Sequence, residues 1–404
     1  MTAVRFDPEH AIAADEFRER QDRARAAAAE QGLDGLVVWS RGGGPVDMSA
    51  DVVYLANHYS QQPYMADHAG IGRARSHGVL VLPVSGPGIL VMDVPWWRPD
   101  LVVADEVRTG NDVIAKAADA MRAAGLGSGR VGLVGASHMT AAAYLGFVAA
   151  LPDLQMVRTD DLIERLRIHK SAAEVLAMRA AIALGDDAVK VAMEAVMVGA
   201  TEADCAAEAA SVVARGGGVM YDTACASGAQ AHNFTWARMP SSSLRPLERG
   251  DMFHMDCYGA LAGYFWDFGR TRVAGDEPTD MQRDLIEAAI DVVDAVCAAI
   301  RPGIPASQAY EAGARAMAES AVIARIPAVE RDTEGFPAVG HGIGLGWEGP
   351  WLTPVDHTIL EPNMTIAVET LIGHPSMGGG FFEENGVVTA TGFEVLTTAR
   401  RRWW

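Results

Sequence analysis

Apolar residues recur at helical spacing from Ala13 to Gln31, in a segment rich in alanine and charge, and the repeat stops at Gly32, a residue suited to the left-handed turn that closes a helix. The unbroken apolar run DGLVVWS follows and predicts a short buried strand. HGVLVLPVSGPGILVMD reads as two strand-forming runs joined by a Gly-Pro turn, NDVIAKAADAMRAAGLG as a helix and RVGLVGAS as a further strand. Helix and strand alternating in this way predict a self-contained α/β domain over residues 1–160.

From residue 161 the pattern changes. LRIHKSAAEVLAMRAAIALGDDAVKVAMEAV carries Ser171 with Glu174 three positions on, a capping box that opens a long amphipathic helix, and Thr201 with Asp204 starts a second one. Two more helical segments fall at about 279–300 and 306–320. Strand patterns lie between and after them, in DMFHMDCYGALAGYFWDFGRTRV, MTIAVETLIG and GFFEENGVVTATGFEVLTT. Helices with a mostly antiparallel sheet predict an α+β domain over residues 161–404, and no internal repeat stands out.

Composition narrows the class. A chain of 404 residues, half apolar and 21% charged, has the balance of a globular enzyme with room for two cores. Its formal charge of −19 argues against a broad nucleic-acid or anionic-membrane surface, since such partners need clustered Lys and Arg. Cys205, Cys225, Cys257 and Cys297 form no CxxC pair and no disulfide rhythm, which predicts a reduced, cytoplasmic setting and no zinc-thiolate site. MTAVRFDPEHAIAADEF lacks a basic stretch followed by an apolar one, and GVLVLPVSGPGILVMDVPWW is broken by Pro and Gly before it reaches membrane length.

Candidate chemistry comes from carboxylates set in apolar strands. In FHMDCYGALAGYFWDFGRT, Asp256 lies on the strand face opposite Phe253, Met255 and Cys257, and Asp267 follows eleven residues later across a glycine-containing turn. A hairpin there brings both carboxylates onto one face, where like charges are costly without a cation or proton between them. Taken alone, the pair fits solvent-facing strand residues better. Glu369 interrupts TIAVETLI, however, and Glu383 follows two phenylalanines in GGFFEENGVV, while His341 sits in the glycine-rich GHGIGLGWEGP. Four carboxylates and an imidazole make a donor set for hard or borderline divalent ions such as Mn, Fe or Co, with Zn also within reach, and the set is large enough for two ions.

The order Asp256, Asp267, His341, Glu369, Glu383, the Asp-x10-Asp spacing, GHGIGL and the fourteen-residue step between the glutamates resemble the creatinase/prolidase/aminopeptidase P/methionine aminopeptidase family. The resemblance spans about residue 160 to the end and implies a pita-bread catalytic domain. LRIHKSAAEVLAMRAA resembles the helix that joins the two domains in the aminopeptidase P and creatinase branch, and DVVYLANHY fits that branch's N-terminal domain more loosely. It implies that Asp256 holds one metal, His341 and Glu369 the other, and that Asp267 and Glu383 bridge. It also implies that Glu383 takes a proton from the attacking water and that His232, in ASGAQAHNF, hydrogen-bonds the oxyanion or the leaving group. The expected activity is metal-dependent hydrolysis of a C–N bond, in an Xaa-Pro peptide or a small amide.

Departures from the family pattern mark the rest of the site. HGIGLxxHE is the usual run in its Xaa-Pro peptidases, whereas this chain reads HGIGLGWEGP, with Trp347 before Glu348, and Phe381 stands where an arginine is usual. A DMSP-lyase type shares the shortened spacing, so a metal-dependent lyase acting on a small zwitterion is the alternative, followed by a non-catalytic binding module. Trp347, Trp351 and Phe381 are expected to wall the substrate pocket, Glu348 to face a cationic substrate group or cap local structure, and His374 is a candidate for the missing proton shuttle. Two-domain relatives are homodimers in which the partner's N-terminal domain reaches over the site. His58, Tyr64 and Arg73, in ANHYSQQPYMADHAGIGRARSH, are therefore expected to contribute to substrate choice. The terminal RRRWW is expected to be frayed or packed at an interface rather than to act as a signal.

Overall fold

The computed structural model describes residue 7 and residues 10–44, 46–234, 241–275, 277–325, 330–331 and 337–404. Residues 1–6, 8 and 9 of the N-terminal stretch read for a targeting signal lie outside the described residues. The chain divides into two compact units, Glu9–Arg167 and Ile168–Trp404. No helix among the described residues is long and apolar enough to cross a membrane.

The first unit runs α1 (Ala14–Glu30), β1 (Gly35–Arg41), α2 (Ala50–Ala56), β2 (His77–Pro83), β3 (Ile89–Met92), β4 (Glu106–Thr109), α3 (Val113–Ala123), β5 (Gly129–Val134), α4 (Ala141–Ala150), β6 (Leu154–Arg158) and α5 (Asp160–Arg167). Its sheet has the order β4-β3-β2-β1-β5-β6, with β1 antiparallel to β2 and parallel to β5. Val37, Trp39, Val79 and Val81 bury one face against Val113, Ile114 and Met121 of α3 and Phe147 of α4. Burial of each such side chain contributes roughly 1.5–3 kcal/mol before chain entropy is subtracted. The division falls after Arg167 rather than at the expected 160, because α5 buries Leu162 and Ile163 and Arg167 donates to Asp51 of α2 at 2.6 Å.

The second unit continues with α6 (Ala172–Glu194), α7 (Glu202–Arg215), β7 (Val219–Ser227), β8 (Met252–Leu261), β9 (Tyr264–Val273), α8 (Asp280–Ala299), α9 (Ala306–Glu319), α10 (Ala321–Arg325), β10 (Glu330–Arg331), β11 (Gly340–Ile343), β12 (Trp347–Trp351), β13 (Thr365–His374), β14 (Gly378–Val388) and β15 (Phe393–Val395). Both expected capping boxes form, Ser171 with Glu174 and Thr201 with Asp204, and Thr279 with Gln282 adds a third. Two antiparallel sheets result, β7-β8-β9 and β12-β11-β13-β14-β15, with β10 paired to β13. Their outer faces are covered by helices: Gly185 of α6 lies against Trp266 and Phe268 of β9, and Leu285, Ile286 and Val293 of α8 share a core with Ile366, Val368, Ile372 and Phe382. Strand alternation then sends Asp256, Asp267, Glu369 and Glu383 to the inner faces.

Despite its glycines, GHGI forms strand β11, and bends follow at residues 344–346. A Cβ at Gly342 would lie 2.1 Å from the carbonyl oxygen of Gly349, and one at Gly340, whose φ is +148°, 2.2 Å from that of Ala367. The glycines therefore let β12 and β13 close in on β11 from both sides. The terminal RRRWW is packed rather than frayed: Arg401 and Arg402 pair with Asp294 and Glu287 of α8 at 2.5 and 2.6 Å.

Candidate active site

Five side chains from five strands converge in the second unit. The β8–β9 hairpin sets Asp256 opposite Gly269 and Tyr258 opposite Asp267, which puts both aspartates on one face, two positions apart. In the other sheet Glu369 faces Glu383 directly, and His341 pairs with Ala367, two residues before Glu369. The Nε2 of His341 lies 3.4 Å from Asp267 Oδ2 and 3.6 Å from Glu369 Oε1.

Two overlapping triads arise, Asp267–His341–Glu383 and Asp256–Glu369–Glu383, each offering ligand atoms within 4.8 Å of one another. Glu383 belongs to both; Asp267, also expected to bridge, belongs to one. The expected split placed Glu369 on the His341 side alone. It also closes the triad with Asp256, because the direct β13–β14 register holds it against Glu383.

The electrostatics fit a cation. Asp256 Oδ1, Asp267 Oδ1 and both carboxylate oxygens of Glu383 are buried with no hydrogen-bond partner among the described residues. Burial first, then the charges of Asp267 and Glu369, push Asp256 well above the usual carboxylate range. For Glu383 burial again leads, with Asp267, Glu369 and Asp256 adding to it and Arg270 opposing. At His341 burial disfavours the imidazolium, but the hydrogen bond and charge of Asp267, with Glu369, outweigh it and raise its pKa. Unsatisfied oxygens of this kind are costly alone and match the oxygen-and-imidazole coordination of divalent ions.

Residues that attracted no notice in the sequence hold this arrangement. The carboxamide of Asn385, fully buried, accepts from the Asp267 N–H at 3.0 Å and donates to its carbonyl, tying β9 to β14. The buried Arg270 donates to the carbonyl of Glu383, to the Glu384 carboxylate at 3.0 Å and to the carbonyls of Ala399 and Arg400. An arginine and an asparagine inside apolar strands were the available signals.

Trp347, 45% exposed, donates its indole N–H to Asp267 Oδ2 at 2.5 Å, and Trp351 lies 5.5 Å from the His341 ring. Phe381 is buried in contact with Phe234 and His254, at ring distances of 5.1 and 5.9 Å, and a Cβ at Gly269 would meet its ring. Glu348 does face a cation, but it is Lys170 of the same chain, in a buried ion pair behind β11. His232 lies on a turn whose backbone presses on Gly373 of β13, and its Nδ1 is 2.6 Å from the Ala229 carbonyl. His374 stands five residues beyond Glu369, on the opposite strand face, and its Nδ1 accepts from the Ser376 N–H at 3.2 Å in a local turn, with the Ser376 hydroxyl 3.0 Å away.

The three expected pocket residues of the first unit divide. His58 is buried against Gly78 of β2, because burial of its neutral ring within the unit is favoured over exposure, and it presents no surface for a substrate. Tyr64 is 52% exposed beside Arg41, and Arg73 pairs with Asp112 at 3.6 Å.

Fold and site together define a two-domain metallohydrolase with a pita-bread catalytic unit. The chain belongs to metallopeptidase family M24, whose model matches residues 176–390, and residues 20–169 match the creatinase/prolidase N-terminal domain. Family membership carries dependence on a divalent metal. An Xaa-Pro dipeptidase of Pyrococcus furiosus is 29% identical over 249 residues, covering 60% of this chain and 67% of that protein. A probable dipeptidase PepE of Mycobacterium tuberculosis is 28% identical over 403 residues, 97% and 96% of the two chains. The crystal structure of dipeptidase PepE from Mycobacterium ulcerans superposes with a TM-score of 0.74 at 25% identity, covering 96% of this chain and 98% of that one. These comparisons give the lyase alternative no support.

Proposed function

We propose that the chain hydrolyses the peptide bond preceding proline in dipeptide-sized substrates, using two divalent ions held by Asp256, Asp267, His341, Glu369 and Glu383. The observation that carries this reading is the sharing of Glu383 by two triads of ligand atoms. Bound there, a pair of Mn, Fe or Co ions, or Zn, would supply Lewis acidity and a water of lowered pKa. Glu383, the carboxylate that both triads share, would take the proton of the attacking water. His232 hydrogen-bonds the developing oxyanion or the leaving nitrogen. Trp347 holds Asp267 in place, while the rings of Trp347, Trp351 and Phe381 form the apolar wall that takes the proline ring. The four cysteines are all free thiols, which supports a reducing, cytoplasmic setting.

The test is release of proline from Xaa-Pro dipeptides by Mn-loaded protein, beside Glu383→Gln. Release that vanishes in the variant is the expected result. A wild-type protein that retains its metal and releases no proline from any such dipeptide would overturn the reading.

A further inference from the structure

A cavity of about 660 Å³ opens on the second unit, lined by none of the five clustered residues. Its lining includes Arg272 of β9, which alternation places on the strand face opposite Asp267, together with Arg249 and Arg400. Trp403 and Trp404 form one wall, and Val196, Met197 and Val198, beyond the end of α6, form another, with Met197 60% exposed. The volume lies within the range of small-molecule sites.

The charge of this cavity runs against that of the chain. Among the described residues, three lining guanidiniums meet one lining side-chain carboxylate, Glu277, in a protein of net charge −19. Among the described residues, Arg272 donates to the main-chain carbonyl of Met193 and has no side-chain carboxylate within 4.0 Å, while Arg400 donates to a terminal main-chain oxygen of Trp404, each at 2.5 Å. Their neighbours Arg401 and Arg402, by contrast, are paired with acids of α8. The guanidiniums of Arg272 and Arg400 both pack on Trp403, at 5.8 and 5.4 Å from its ring, which holds them in orientation, and the buried Trp403 Nε1 has no hydrogen-bond partner among the described residues.

We propose that this cavity binds a small organic carboxylate carrying a flat apolar body. Arginine's planar fork matches a carboxylate in two-point contact, and it does so best where packing has already fixed the fork. Trp403 and Met197 supply the apolar walls for the rest of such a ligand, which an inorganic anion would leave wet.

The experiment is calorimetric titration of the full, metal-loaded chain with 3-phenylpropionate and with its neutral isostere 3-phenylpropanol. The acid is expected to bind and the alcohol not to. Binding of the acid is expected to weaken roughly tenfold or more in Arg272→Gln and in Arg400→Gln, as loss of a charged two-point contact requires. Arg400 is exposed, and its carbonyl bond to Arg270 survives the substitution, so this variant answers even where Arg272→Gln folds poorly. Equal binding of acid and alcohol would overturn the site. Binding of the acid that persists unchanged in both Arg272→Gln and Arg400→Gln would overturn the site equally.

Discussion

Glu369 and Glu383 face each other directly across the antiparallel pair β13–β14, with Asp256 in the same triad. Like charges opposed in this way destabilise a strand pair, and here they do so in a buried setting. The arrangement is tolerable when a cation or protons lie among the carboxylates, so the same feature that weakens the metal-free protein makes it a metal site.

Stability without metal therefore falls as pH rises. The pKa of Glu383 is raised in the folded state, chiefly by burial, so the unfolded chain releases this proton first, and folding loses free energy from about pH 4.5 up to the folded pKa. Glu383→Gln is expected to stabilise the metal-free protein at pH 7 by roughly 1–3 kcal/mol, and to forfeit most of the gain that Mn gives the wild type. Urea unfolding with and without Mn measures both. A variant that gains as much from Mn as the wild type would remove Glu383 from the metal.

In the first unit the pH dependence has the opposite sign. Burial lowers His58 and His77 to about 4, with Asp93 opposing at His58 and Arg41 adding to the effect at His77. His77 is held neutral for a visible reason, since its Nδ1 accepts the indole N–H of Trp39 at 2.6 Å. Stability from each is complete above about pH 6.5 and is lost as pH falls toward 4, by about 3 kcal/mol for a shift of this size. Histidine NMR titration of the full chain checks it, the expected result being two rings that stay neutral at pH 5.5. Ordinary titration near 6.5 would contradict the burial argument.

Legibility in the sequence followed the kind of force that fixes each feature. The capping boxes at Ser171 and Thr201 and the β8–β9 hairpin rest on neighbours a few residues apart, and their signals were readable. Asp256, Asp267, Glu369 and Glu383 could be singled out because a carboxylate in an apolar strand needs compensation. Lys170, Arg270 and Asn385 could not, because their partners Glu348, Glu384 and Asp267 stand 178, 114 and 118 positions away. The strand character of GHGI was hidden for a related reason: glycine marks a loop locally, and only the approach of Gly349 and Ala367 turns it into a packing requirement.

Lys170 and Glu348 supply the sharpest test of how the site is supported. Both are buried, they pair directly, and a Cβ at Gly344 would lie 2.5 Å from Glu348 Oε1 and 3.0 Å from Lys170 Nζ, so β11, β12 and the start of α6 close around one ion pair. Trp347, adjacent to Glu348, reaches Asp267 from that anchored strand. Lys170→Met leaves a buried carboxylate without its cation, a loss of about 3–5 kcal/mol, whereas Lys170→Met with Glu348→Met removes both charges and recovers most of it. If the pair matters only for stability, both variants bind Mn as the wild type does. If it also places Trp347, Mn affinity falls roughly tenfold in the single variant, the scale for a lost outer contact, and returns in part in the double one. Competition for Mn with a chelating dye, set beside urea unfolding of the same proteins, separates the outcomes, and equal stability of single and double variants would show that Glu348 finds another partner.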